Sequence, residues 1–386
     1  MLTSVRRTGV ASLALTAALG TVGATGIASP ASADEHHRDH RGHGGSAVFV
    51  QTDDPAGNTI VAYDRAPDGT LTPAGQYATG GLGGVLDGSV VDHLASQGSL
   101  ALDREHDTLY AVNAGSDTVT VFGVAGDRLS RRAVVPSGGS FPVSIAVHGD
   151  LVYVLNARDG GTVQGFRSLH GGLVPIAGST RALGLDATAT PEFVNTPGQV
   201  AFSPDGSRLL VTTKSNGNDV DVFTVGRSGA LSGSPTVNSL PGAVPFAVSW
   251  DRFGRLVLAE AGPNAVATFR IDHDGVLHAI ATAATGQAAT CWVVRSGDRL
   301  FASNAGSATL SAYRVGLRGD LTSLGTTGTD AGTVDATVTP DGRYLFVQAG
   351  AAGQVDGFRI GWDGSLTSLG SVTVPGAVGG EGIAAD

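Results

Sequence analysis

The chain has 386 residues, carries 34 acidic against 24 basic side chains and has a formal net charge of −10. Nucleic acid and anionic membrane surfaces are polyanions, so this balance excludes them as partners. A single cysteine, Cys291, excludes an intrachain disulfide, and stability has to come from a buried core.

The first element in chain order reads as an export signal over residues 1–33. Arg6 and Arg7 precede an apolar run from Val10 to about Ile27, and Ala31-Ser32-Ala33 has the small-x-small form of a cleavage site. No stop-transfer segment follows, so the expectation is a secreted protein, extracellular or periplasmic, without membrane insertion. Cleavage after Ala33 exposes Asp34-Glu35-His36. A free amine, two amide nitrogens and a third-position imidazole form a square-planar set suited to Cu(II) or Ni(II). The bland alternative is a solvated linker with incidental histidines: residues 34–46 are His-rich and polar, and are expected to be disordered. No other cofactor is implied.

Residues 47–386 then repeat one unit: an apolar stretch, a polar turn often containing Asp-Gly, a strand ending in Asn or Gln, a Gly-rich turn and two further strands. The copies run Leu109–Phe122, Leu151–Phe166, Arg208–Phe223, Arg255–Phe269, Arg299–Tyr313 and Tyr344–Phe358, with a first copy opening at Ala47. Each alternates with period two and is broken by Gly, Asn or Asp, as short antiparallel strands are. The spacing of roughly 42 to 48 residues is that of a four-stranded propeller blade. The third copy is lengthened by an insertion near 181–195. The first copy lacks the inner strand that precedes the others, and the C-terminal VGGEGIAAD resembles it. The prediction is an all-β, seven-bladed β-propeller closed by its last strand, which removes the open sheet edges.

Departures from the repeat mark candidate sites. The residues read as closing the second strand of each blade are Gln51, Asn113, Asn156, Lys214, Glu260, Asn304 and Gln348, and Lys214 is the only lysine in the chain. Lys214 and Glu260 read either as a surface ion pair or as a polar binding spot. Gln199, Thr290, Asp335 and Glu381 begin inner strands and are expected to line the channel. There Asp335 and Glu381 form neighbouring carboxylates, with raised pKa or a bound cation, or else solvated channel acids. Cys291 reads as a buried structural thiol; a nucleophile would need a partner His, and only His148 occupies a matching inner-strand position.

The repeats resemble those of the lactonase-type seven-bladed propellers, the group of bacterial 6-phosphogluconolactonases, fungal carboxymuconate cyclases and secreted YVTN-repeat proteins. The resemblance implies acid–base and anion-binding groups on inner strands of adjacent blades. At the family's His-Pro-His this chain reads Phe141-Pro142-Val143. In the stretch TPGQVAFSPDGSRLLVTTK, Gly198 stands at the family's Arg, Gln199 at its His and Lys214 at its Glu. Gln is no general base near neutral pH and Gly holds no anion. The catalytic residues therefore stay unassigned and two readings stay open. One is a monomeric scaffold that binds a small molecule or an extracellular protein. The other is a lactone hydrolase or carboxymuconate-type cyclase with a site relocated to Lys214 and Glu260 or to Asp335 and Glu381.

Overall fold

A computed structural model describes residues 46–386. The export signal, the His-rich tail up to Gly45 and the Asp34-Glu35-His36 metal set lie outside the described residues.

Seven antiparallel sheets follow one another around a ring. Blade two shows the pattern: Leu100–Asp103 innermost, then Thr108–Asn113, Thr118–Ala125 and Arg128–Pro136 at the rim. The second strands are mainly apolar between their ends because neighbouring blades cover both their faces, and all of Thr108–Asn113 is buried. Rim strands such as Leu71–Ala78 alternate between half-buried and exposed residues, as a strand with one wet face does. The hydrophobic core is a set of clusters between blades; one joins Phe49 and Ile60 of blade one to Leu109 and Phe122 of blade two.

Closure is as the sequence predicts. Ile383–Ala385 pairs with Ala47–Gln51, with Val48 opposite Ala385 and Val50 opposite Ile383, and so completes blade one. Arg104 of blade two donates to the Ala385 carbonyl and helps to pin the end.

Five blades carry the same register shift beside the third-strand aromatic, at Tyr63, Phe122, Phe269, Tyr313 and Phe358. Such a bulge adds twist and bends the rim strand around the ring. Blades three and four lack it. In blade three the rim is split between Gly172–Pro175 and a two-residue strand, Arg181–Ala182, both paired with Thr162–Leu169. The insertion expected near 181–195 thus begins as a sheet edge and ends as a single helical turn, Glu192–Asn195.

Candidate functional site at the channel mouth

In every blade the antiparallel order puts the start of the first strand, the end of the second and the start of the third at one face. The connections between blades converge there, around the mouth of the channel. Four of them are tight turns, such as residues 285–289 between blades five and six. Two are long, 79–99 between blades one and two and 183–198 between blades three and four, and 374–382 leads from blade seven to the closing strand.

The first long connection folds into the mouth and closes it. Leu86, Leu94, Ala95, Ser96 and Ser99 are buried; the three apolar ones join the core cluster of blades two to four, and the polar contacts of the stretch are specific. The Gln97 side chain brackets blade six, accepting from Val293 N at 3.0 Å and donating to Val293 O at 3.3 Å. Trp292 Nε1 donates to Ser96 O at 2.6 Å, and Ser144 Oγ of blade three donates to Gln97 O at 2.7 Å. Gly83 lets the same connection cross blade one, because a Cβ there would lie 2.1 Å from the Asp53 carbonyl. The second connection is clamped to the first: Arg158 holds Glu192 through two donors, at 2.6 and 3.0 Å, and Glu192 accepts Asp87 N at 2.8 Å.

Lys214 is the hub between them. It is 1 % exposed, and Nζ donates to Ala95 O at 2.6 Å, Phe193 O at 2.6 Å and Thr196 Oγ1 at 3.1 Å. An ammonium has three donors, so all are taken by the protein itself. Burial pushes the Lys214 pKa down to about 7 against the pull of Asp92. Ala95 and Lys214 hold φ of 47° and 51°, a left-handed conformation costing ~1–2 kcal/mol for a residue with a Cβ. These hydrogen bonds hold both residues there.

Four carboxyls surround this hub, each at most 4 % exposed: Asp53, Asp92, Asp335 and Glu381. Asp92 accepts Leu94 N and Ala95 N at 2.9 Å and Ser96 N at 3.1 Å, a tight turn closed by its own side chain. Asp53 accepts Glu381 N at 2.7 Å. Burial is the main cause holding Asp53 up at about 8 and Asp92 and Asp335 at about 7. Glu381 is pushed well up by burial, then by the charges of Asp92, Asp335 and Asp53. Geometry agrees. Ser96 Oγ lies 2.8 Å from both Val143 O and Glu381 Oε2, yet has one proton to give. Both contacts are satisfied when Glu381 is the acid and donates to Ser96 Oγ.

The expected site residues therefore fall into two groups. Lys214, Asp335 and Glu381 come together in the buried mouth, where Asp335 and Glu381 are neighbours as predicted but are enclosed by residues 86–99 rather than facing an open channel. Gln199, Thr290 and Glu260 do not join them. Gln199 Oε1 accepts Val248 N at 2.6 Å and ties blade four to five, while Thr290 Oγ1 donates to Asn304 Oδ1 at 2.6 Å. Glu260 makes no ion pair with Lys214. Strand register explains why. Counted from the third-strand aromatic, the residues equivalent to Asn113 are Thr52, Asn156, Thr213, Glu260, Asn304 and Ala349. Lys214 lies one residue further on, and a one-residue step turns a side chain to the opposite face.

The positions that the resemblance marks lie against their neighbours as follows. The Phe141 ring lies under the Arg158 guanidinium at 4.2 Å, and Val143 is fully buried. At Gly198 a Cβ would stand 2.7 Å from Phe246 O. Nothing in the repeat pattern marks Asp53, Asp92 or Gln97 as parts of the site; the available signal is the unusual length of 79–99.

Beside the hub lies one apolar cleft of about 130 Å3, walled by Phe193, Phe246, Cys291, Trp292 and Ala305, with Asp92 at its edge. Burial pushes the Cys291 thiol up to about 12, which keeps it from acting as a ready nucleophile. No group of three or more His, Cys, Asp or Glu placed to hold a metal occurs among the described residues.

The model of the family described as lactonase, seven-bladed β-propeller, matches residues 259–381. No curated protein matches the chain. Among solved structures, a putative 6-phosphogluconolactonase from Bacteroides fragilis is 20% identical with a TM-score of 0.73, covering 90% of this chain and 99% of its own. A Lactobacillus plantarum protein is 22% identical with a TM-score of 0.73, at 89% and 99% coverage. The periplasmic gluconolactonase of Pseudomonas aeruginosa is 18% identical with a TM-score of 0.70, at 88% and 98%. At such identities the likeness is one of fold. The repeats and the closed ring make this chain a seven-bladed β-propeller, and the part from blade five to the closing connection matches the lactonase family model.

Proposed function

We propose that this protein is an exported binding propeller that holds a small ligand at the channel mouth and does not hydrolyse lactones. The observation that carries the reading is Lys214: its three donors go to Ala95, Phe193 and Thr196, leaving none for a substrate carboxylate, phosphate or oxyanion. Two further features support it. Residues 86–99 fill the space in which inner strands would otherwise present acid–base groups, and the Gly198 backbone has no room for the Cβ of an arginine. Export fits the Arg6-Arg7 and Ala31-Ser32-Ala33 signal, and no helix among the described residues is long and apolar enough to cross a membrane.

The test is turnover. Full-length and signal-free protein are offered D-glucono-1,5-lactone, its 6-phosphate and dihydrocoumarin, with ring opening followed by proton release. No rate above the buffer blank is expected. Saturable hydrolysis that disappears in Lys214→Met or in an Asp335→Asn, Glu381→Gln double variant would establish the relocated lactonase site instead.

A further inference from the structure

The cleft beside Lys214 has a chemistry that restricts what it admits. Its walls are three aromatic rings, Phe193, Phe246 and Trp292, together with Ala305 and the partly exposed Cys291. Phe246 and Trp292 meet edge to face, with centroids 5.0 Å apart and planes at 62°. Their packing fixes the shape of the cleft, and this edge-to-face geometry suits a further ring. A volume of about 130 Å3 is close to that of an apolar cavity known to take one benzene.

The polar groups around the cleft are already engaged. Trp292 Nε1 serves Ser96 O, and the Lys214 ammonium serves two carbonyls and a hydroxyl. Asp92 keeps one lone pair unused, since Oδ1 takes two N–H groups and Oδ2 one. With Asp92 ionised, above pH ~7, the wall therefore offers an acceptor, and its one free hydrogen, on the Cys291 thiol, is only a weak donor. An anionic ligand would lose its hydration with nothing to replace it and would face Asp92. A neutral ring loses little on entry, and a single hydroxyl on it has Asp92 Oδ2 to donate to.

We infer that the ligand of this propeller is a single uncharged ring, aromatic or alicyclic and carrying at most one hydroxyl donor, seated between Phe193, Phe246 and Trp292. The inference rests on the binding reading above and names its ligand class. It also sets this cleft apart from a sugar-phosphate pocket, which needs a cation free to pair.

Phenol and benzoate are the probes, because they share a ring and differ in charge. Binding is measured on the whole protein by calorimetry. Occupancy is measured by how far each probe slows modification of Cys291 by methyl methanethiosulfonate, a reagent small enough to enter the cleft, used in large excess at pH ~9 because the raised thiol pKa makes the reaction slow. Phenol should saturate and slow labelling, and benzoate should bind at least about 10-fold more weakly, a difference of ~1.4 kcal/mol. Ala305→Phe, which fills the cleft, should abolish both effects of phenol. Should that variant misfold, Ala305→Val should weaken them in a folded protein. Benzoate binding as tightly as phenol, or phenol leaving Cys291 labelling unchanged in the wild type, overturns the ring assignment. Lactone turnover by the wild type overturns the binding reading instead. Phenol that blocked such turnover would still leave the ring assignment standing.

Discussion

The junction between blades five and six and the junction between blades one and two perform the same topological task with different chain. The first turns in residues 285–289, with Thr285 Oγ1 and Thr290 Oγ1 in contact at 2.9 Å. The second takes residues 79–99, enters the channel mouth and touches blades one, three, four and six. Repetition builds the ring through the first kind of junction. Individuality enters through the second, because a connection that follows no repeat pattern is free to carry Asp92, Ser96 and Gln97.

The largest effect should come from breaking the ring. Deleting residues 379–386 leaves Val48, Phe49 and Val50 without their inner partner and exposes the inner edge of Ala47–Gln51. The expected outcome is insoluble protein without a cooperative melt; a soluble truncation with an unchanged transition would overturn the closure.

Next is the hub. Lys214→Met removes the donor for two buried carbonyls, and each unsatisfied group costs ~1–3 kcal/mol, offset in part by relief of the buried charge. A net loss of ~2–4 kcal/mol in denaturant unfolding is expected. Amide exchange should accelerate at residues 94–97 and not in the 285–289 turn. Uniform acceleration across the molecule would mean that Lys214 does not hold the connection in particular.

A smaller loss separates two glycines. Gly198→Ala forces a Cβ against Phe246 O and should cost ~1–3 kcal/mol, as overpacking does. Gly233→Ala meets nothing within 4 Å and should stay within ~0.5 kcal/mol of the parent. Equal melting temperatures for the two variants would remove the steric argument at Gly198.

The buried carboxyls set the pH dependence. Asp53, Asp92, Asp335 and Glu381 all have native pKa values raised above their unfolded ones, so the folded state binds more protons between pH ~4 and 8. Their contribution is fully present below pH ~4 and is lost as pH rises through 7 to 8. Lys214 has the opposite sign: its lowered pKa makes stability rise with pH between about 7 and 10.5. Four groups outweigh one, so stability should decline from pH 5 to 8. Each proton involved gives a slope of up to ~1.4 kcal/mol per pH unit, less after local relaxation. Glu381→Gln should flatten that slope by about one proton. A profile that rises from pH 5 to 8 would show these acids ionised in the native state.

Much of the ring was legible in the sequence, because a blade is a local pattern: alternation, a Gly-rich turn and a third-strand aromatic recur at a fixed spacing. The closing strand was legible because the first copy lacked one. The mouth was not. Asp335 and Glu381 were picked out by their place on inner strands, but their enclosure depends on residues 86–99, which follow no repeat. Lys214 was marked as the odd residue, while its role was misplaced by one register step. Only strand pairing resolves that step, since one residue moves the side chain from a neighbouring blade to the channel.

The smallest effect tests that register. In blades two and six the strand-end amides find hydroxyls across the next strand. Asn113 Nδ2 donates to Thr118 and Thr120 at 3.0 and 2.8 Å, and Asn304 Nδ2 to Thr309 and Ser311 at 3.1 and 3.0 Å. In blade three Asn156 reaches Thr162 at 3.3 Å. Glu260 occupies the equivalent place in blade five, but Ala265 stands opposite it and Ala267 two residues on, and burial raises its pKa. Glu260→Asn alone should therefore change stability by less than ~1 kcal/mol, since the new amide finds no hydroxyl. Adding Ala265→Thr supplies the hydroxyl that blades two, three and six already have. The double-mutant cycle should show a favourable coupling of ~0.5–1 kcal/mol, about one neutral hydrogen bond. A coupling of zero would mean that the blade-five strand end is not equivalent to the others. The register that places Lys214 beyond the strand would then lose its support.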